Sequence, residues 1–275
     1  MNHLATPTIA AYLDVPDARL YYEVRGRGPI LVLVGAPMHA ASFAPLADLL
    51  ANANTVVTTD PRGINRSTVE DRAMDSTPEM RADDLSRLLA HLEAGPAAVF
   101  GSSGGAISAL ALAQVHPEQV SVVIAHEPPL ISLLDDHEEL CAQTEDYVET
   151  YLAGDALGAW RRFFTVANID LPDEAIEAMF GGERDAQTVT DERFWFEHEL
   201  RPTSYWQPDF AALAHASTRI IVGLGDRSAG QECDRTSRAL ATRLGLQVTS
   251  FPGDHVGFLH DPDAFANRLQ DSLRG

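Results

Sequence analysis

Residues 99–106 read VFGSSGGA and place Ser103 at the centre of a G-x-S-x-G pattern, flanked by Gly101 and Gly105. A serine hydroxyl attacks poorly until a base removes its proton. The arrangement that exposes such a serine is a strand turning sharply into a helix, with the serine at the apex in a strained backbone conformation. Small neighbours are then required so that the two backbone arms can pass closely. An apolar run at 97–100 precedes Ser103, and a small, apolar, helical pattern at 104–116 follows it. Nucleophilic attack on a carbonyl is the chemistry this spacing serves.

The base must come from ten histidines. His255 lies in FPGDHVGF (251–258), just past the last predicted strand, where a loop would meet the serine turn. His260, against Asp261 and Pro262, reads as the start of a helix, and His91 and His116 as structural or solvated. A carboxylate must fix the base's tautomer. Asp226, in GLGD after the predicted strand 219–222, is the expected acid and gives the chain order Ser103, Asp226, His255. Glu127, in HEPP after the strand ending near Ile124, is the alternative acid. The developing oxyanion needs backbone N–H donors. Gly104 follows the nucleophile at a helix start. A second donor falls within Gly35-Ala36-Pro37, and since Pro37 has no N–H, Ala36 is expected.

These groups need a frame. Apolar runs at 18–24, 29–34, 55–59, 97–100, 120–124, 219–222 and 247–251 read as strands, several apolar on both faces as in a buried parallel sheet. Helical patterns lie between them, including 80–93, 104–116 and 262–273, so the expectation is an α/β chain with a mostly parallel sheet flanked by crossover helices. Residues 131–210 break the rhythm. They contain no clear buried strand and 12 of the 20 aromatics. They read as a helical lobe inserted into a core formed by 1–130 and 211–275. Most of its aromatics pack the lobe itself, and others, with Trp160 and Phe164 as candidates, line an apolar pocket over the serine.

Composition excludes several classes. The formal net charge of −20 disfavours nucleic acid and anionic membrane surfaces as partners. All 20 basic residues are Arg, so lysine Schiff-base and pyridoxal phosphate chemistry are ruled out. Cys141 and Cys233 match no metal spacing and are expected to be reduced thiols. Residues 1–11 show no leader pattern, and no apolar run approaches the ~20 residues of a membrane span. A cytoplasmic protein is expected, with a small-molecule substrate, no metal, no organic cofactor and, at most, a second copy of itself as partner in a homodimer.

With these residues in view the chain resembles the α/β-hydrolase family over nearly its whole length, in particular the group with a helical cap after the family's sixth strand. Residues 60–67 (DPRGINRS) are similar to the family's D-x-R-G-x-G-x-S segment, with Asn65 where glycine is usual. Asp83-Asp84-Leu85 with Leu88 and Leu89 resembles the helix before the serine strand, and His255 followed by Asp261, Pro262 and Phe265 the family's C-terminal pattern. One departure is Val34-Gly35-Ala36-Pro37 where His-Gly is frequent; His39 is the candidate replacement polar group. Serine, not aspartate, at the nucleophile position disfavours the epoxide-opening and dehalogenating branches. The resemblance implies acyl transfer to water, on a small, partly apolar ester, lactone or thioester. Alternatives are carbon–carbon bond hydrolysis, perhydrolysis, lyase or cyclase chemistry on the same residues, or a non-catalytic ligand-binding role.

Overall fold

The seven apolar runs, joined by Thr8–Val15 and Thr68–Val69, pair into a single nine-stranded sheet in a computed structural model that describes residues 7–274. Residues 1–6, part of the stretch read for a leader, and Gly275 lie outside the described residues. The strands are β1 (Thr8–Val15), β2 (Ala18–Arg25), β3 (Ile30–Val34), β4 (Thr55–Thr59), β5 (Thr68–Val69), β6 (Ala97–Ser102), β7 (Val120–His126), β8 (Arg219–Gly225) and β9 (Val248–Phe251). Their order is β1-β2-β4-β3-β6-β7-β8-β9, with β5 paired to β2. The β1–β2, β2–β4 and β2–β5 pairs are antiparallel, and every pair from β4 to β9 is parallel. The carboxyl ends of β3, β6, β7, β8 and β9 therefore share one edge of the sheet. That edge receives Ala36, Ser103, Glu127, Asp226 and His255.

Alternation along the central strands explains their two-sided burial. On β3, Val32 and Val34 face one core, with Leu85, Leu88, Ile107 and Leu110 of α2 (Pro78–His91) and α3 (Gly104–Val115). Leu31 and Leu33 face the other, with Leu46 and Leu50 of α1 (Ala44–Leu50) and Phe265 and Leu269 of the closing helix Pro262–Arg274. Helix α2 starts where the sequence supplies a cap: Thr77 accepts from the Met80 N–H, with Pro78 at the first helical position.

Between β7 and β8 the described residues hold helices and no strand. These are α4 (His137–Leu152), α5 (Ala156–Val166), α6 (Asp173–Phe180), α7 (Ala186–Phe194), α8 (Leu200–Ser204) and α9 (Phe210–His215). A five-residue π-helical stretch, Trp195–Glu199, joins α7 to α8. Then α10 (Glu232–Leu244) crosses back, and α11 (Gly257–His260) leads into α12 (Pro262–Arg274).

The turn after β6 is built on contact distances that only glycine allows. A Cβ on Gly101 would lie 2.3 Å from the Gly105 carbonyl oxygen, and one on Gly105 would lie 2.1 Å from that of Val34. Neither neighbour is a flexible side chain, so backbone would have to move. Gly105→Ala is expected to lower stability by roughly 3 kcal/mol or more, at or beyond the upper end of ordinary overpacking. Urea denaturation checks this, with a midpoint equal to wild type as the contrary result.

Candidate active site

Ser103 stands between the end of β6 and the first residue of α3, with φ 57° and ψ −128°. A non-glycine residue holds that conformation only when its surroundings impose it. Here the Ser103 N–H bonds to the His126 carbonyl at 3.0 Å, continuing the β6–β7 ladder into the turn, and α3 begins at once. The strand-to-helix turn expected from the sequence is present, and Ser103 lines a cavity of about 800 Å³.

His255 lines the same cavity and is partly exposed to it. Its Nδ1 lies 2.7 Å from Oε2 of Glu127. The carboxylate that meets His255 is thus the alternative acid, Glu127, and the expectation of Asp226 is corrected. Asp226 is exposed, and its Oδ1 accepts from the Gly253 N–H at 3.0 Å, tying two turns together. Reach and burial decide the difference. Glu127 follows β7, the strand beside that of Ser103, and its side chain crosses the end of β8 to the His255 loop. The Glu127 Oε1 accepts from the Gly225 N–H at 2.8 Å on the way. A Cβ on Gly225 would lie 2.9 Å from that oxygen, so this glycine leaves room for the carboxylate. Glu127 itself sits at φ 51°, a second strained position at the same sheet edge.

Glu127 is fully buried. Burial pushes its pKa upward, but the hydrogen bond with His255 and the charges of His126 and His255 outweigh it and hold the group below the usual carboxylate range. An ionised carboxylate only accepts, so Nδ1 of His255 carries the proton and Nε2 is left as the basic nitrogen.

The proposed oxyanion donors lie together. Ala36 and Gly104 line the cavity beside Ser103, and a Cβ on Gly104 would lie 2.6 Å from the Ala36 carbonyl oxygen. Gly104 is the first residue of α3, where backbone N–H groups lack intrahelical partners. The segment resembling D-x-R-G supports this loop from behind. Asp60 Oδ1 accepts from the Ala40 N–H at 2.8 Å, Asp60 pairs with Arg66, and Arg62 forms a two-pronged buried pair with Asp84 at 2.7 Å on both arms. Asn65 takes φ 52°, a conformation asparagine tolerates where glycine is usual.

Trp160 and Phe164 line the cavity as expected. Trp160 stacks on Phe180 and Trp195, and its Nε1 donates to Glu192 at 2.6 Å, which fixes the ring. His39 is not among the lining residues; it precedes a short 3-10 turn, and its Nδ1 is buried without a partner. His260 lines the cavity near Asp254 and does not meet Glu127 or Ser103.

Sequence reading missed the polar part of the lining. Glu232 and Cys233, at the start of α10, line the cavity, as do Asn168 and Asp170. Burial pushes the Glu232 carboxyl up to about 7, and burial with the nearby Glu127 charge pushes the Cys233 thiol up. Thr203 and Ser204 of α8 also line the cavity. Thr203 is held by Arg81, which also bonds to Ser76 and Ser108 and so anchors α8 to α2 and α3. Glu199, buried near Arg81, is likewise pushed up to about 7 by burial.

His126 is fully buried, with Nδ1 3.2 Å from the Ser102 hydroxyl, and burial lowers its pKa from 6.5 to about 4. Between those two values the unfolded chain binds a proton that the native ring refuses. Its contribution is therefore complete above pH 6.5 and shrinks as pH falls towards 4, by about 3 kcal/mol. Glu199 and Glu232 act with the opposite sign, favouring the fold below pH 4.5 and losing that contribution as pH rises through 7. A His126→Asn variant is thus expected to lose less stability than wild type between pH 7 and 4. Parallel urea midpoints across that range check it, and identical slopes would contradict it.

Comparison with known sequences adds a family. The profile described as "Alpha/beta hydrolase family" matches residues 30–268. The chain is 35% identical over 274 residues to "Uncharacterized hydrolase YraK" of Bacillus subtilis (strain 168), covering 95% of this chain and 94% of that protein. It is 26% identical over 260 residues to "Zearalenone hydrolase" of Bionectria ochroleuca, covering 92% and 93%. Among solved structures, a thermophilic esterase from Thermogutta terrifontis superposes with a TM-score of 0.72 at 19% identity, covering 98% of both chains.

Proposed function

The chain belongs to the alpha/beta hydrolase family and is a hydrolase, and from that premise we propose that it cleaves small, neutral, partly apolar esters, lactones or thioesters through Ser103, His255 and Glu127. The contact between His255 Nδ1 and the buried Glu127 carboxylate carries this reading. It leaves Nε2 of His255 free to take the Ser103 proton as the serine attacks the substrate carbonyl. The oxyanion that forms would be held by the N–H groups of Ala36 and Gly104. His255 then passes its proton to the leaving group, and a water deprotonated by the same nitrogen releases the acid.

The cavity supports the substrate class. Its aromatic wall suits an apolar group, while Asp170 and Asp254, joined by a partly ionised Glu232, outnumber Arg227 on its lining, which disfavours anions. Arg161 and Arg162 of the lobe do not offset that charge, since they pair with Asp173 and Asp146 on the surface and do not line the cavity. We assign residues 131–210 to a cap, because side chains from this stretch form the roof over Ser103. The relatives whose names specify a hydrolase or esterase agree with the class without fixing a substrate.

The test is stopped-flow hydrolysis of a panel of neutral aryl esters, lactones and thioesters of graded chain length. Turnover is expected, with a pre-steady-state burst of leaving group from an acyl-enzyme where deacylation is slow. No turnover of any member would overturn the reading.

A further inference from the structure

We propose that Cys233, His255 and Glu127 form a binding site for a thiophilic divalent cation such as Zn²⁺, and that its occupation switches hydrolysis off. The geometry points to it. Ligand atoms of these three residues all lie within 4.8 Å of one another, although 106 positions separate Glu127 from Cys233 along the chain and 22 more separate Cys233 from His255 (233 − 127 and 255 − 233). Thiolate, imidazole and carboxylate together are a donor set that tetrahedral zinc accepts, with a water completing the fourth position.

The adjustment required is small. Zinc bonds of about 2.0–2.3 Å at tetrahedral angles place ligand atoms about 3.4–3.6 Å apart. The contact between His255 Nδ1 and Glu127 Oε2, now 2.7 Å, would open by under an ångström, and Cys233 Sγ would close on it. Glu127 stays anchored through Oε1 to the Gly225 N–H, so the movement falls on the other two side chains. Cys233 Sγ makes a long contact of 3.5 Å to Gln231 Oε1, which a rotation gives up cheaply. Access comes from the cavity, which both Cys233 and His255 line. The acidic residues on that lining, within a chain of formal charge −20, concentrate cations there.

Binding would change the chemistry of His255 without filling the cavity. The cation displaces the Sγ proton of Cys233 to solvent and takes the Nδ1 lone pair, so the imidazole proton moves to Nε2. A nitrogen that already carries a proton cannot accept one from Ser103. The hydrolytic consequence rests on the triad reading above; the binding itself does not.

Co²⁺ added to the full-length protein is the direct probe, since cobalt–thiolate coordination gives a charge-transfer band in the near ultraviolet that needs no turnover. The band is expected in wild type and in Cys141→Ser, to be lost in Cys233→Ser and Cys233→Ala, and to be displaced by Zn²⁺. In ester assays, half-inhibition of Cys233→Ser should need over about 100-fold more Zn²⁺ than wild type, beyond what loss of an outer partner costs, with each variant referred to its own metal-free rate. Circular dichroism confirms that both Cys233 variants are folded. A band that persists in Cys233→Ser, or no thiolate band in wild type at millimolar Co²⁺, overturns the site. Equal Zn²⁺ inhibition of wild type and Cys233→Ser overturns the switch, and absence of ester turnover with the band present counts against the hydrolytic reading alone.

Discussion

Glu127→Gln is expected to lower kcat/KM by about 10⁴-fold, whereas Asp226→Asn should change it by less than about tenfold. The amide keeps the shape of the carboxylate and one oxygen, but its NH₂ group now competes for the Nδ1 side of His255. The ring then presents a proton at Nε2, the wrong tautomer for a base. The loss should fall on kcat more than on KM, because the substrate cavity is untouched. Asp226 faces solvent and holds only the Gly253 N–H, so its substitution disturbs a turn. Steady-state kinetics on a neutral ester, with both variants side by side, check this directly, and a larger loss in Asp226→Asn would reverse the assignment.

Ser103→Ala is expected to remove about 10⁴-fold or more of the activity while leaving the fold intact. The residual rate over water would come from the Ala36 and Gly104 donors and from substrate binding alone. Alanine at φ 57° pays the same backbone cost as serine, so stability should stay within about 0.5 kcal/mol of wild type. The variant should also bind a product acid or unreactive ether analogue as tightly as wild type does. A variant that retains wild-type turnover would remove Ser103 from the reaction altogether.

Much of the frame was legible because burial on both faces of a strand leaves a clear trace in residue type. Runs such as ILVLV at β3 and TVVTT at β4 appear nearly as they were read. Strand β1 was missed: TIAAYLDV is mostly exposed and edge-placed, so it lacks the apolar signature. The serine turn was legible because its glycines answer a steric demand that is local in sequence. The acid was not, since the choice depended on which side chain reaches across a neighbouring strand. Both β7 and β8 run two or three residues past the ends read from apolarity, to His126 and Gly225. That places Glu127 and Asp226 equally at the sheet edge, and only the longer, buried side chain meets His255.

The lobe shows the same limit from another side. Its aromatic content marked where a roof would form, but the polar wall of Glu232 and Cys233 comes from α10, a helix of the core whose first turn has no distinctive sequence pattern. His39 failed for a related reason: proximity in sequence to the Ala36 loop did not bring its ring to the cavity.

The most direct measurement on the Ser103–His255–Glu127 assembly is covalent capture of the nucleophile. The protein is treated with a fluorophosphonate probe, digested and mapped by mass spectrometry, with Glu127→Gln treated in parallel. One phosphonyl adduct on the peptide containing Ser103 is expected in wild type, formed far more slowly in Glu127→Gln. An adduct elsewhere, or none at a probe concentration that labels a known serine esterase fully, would contradict the account.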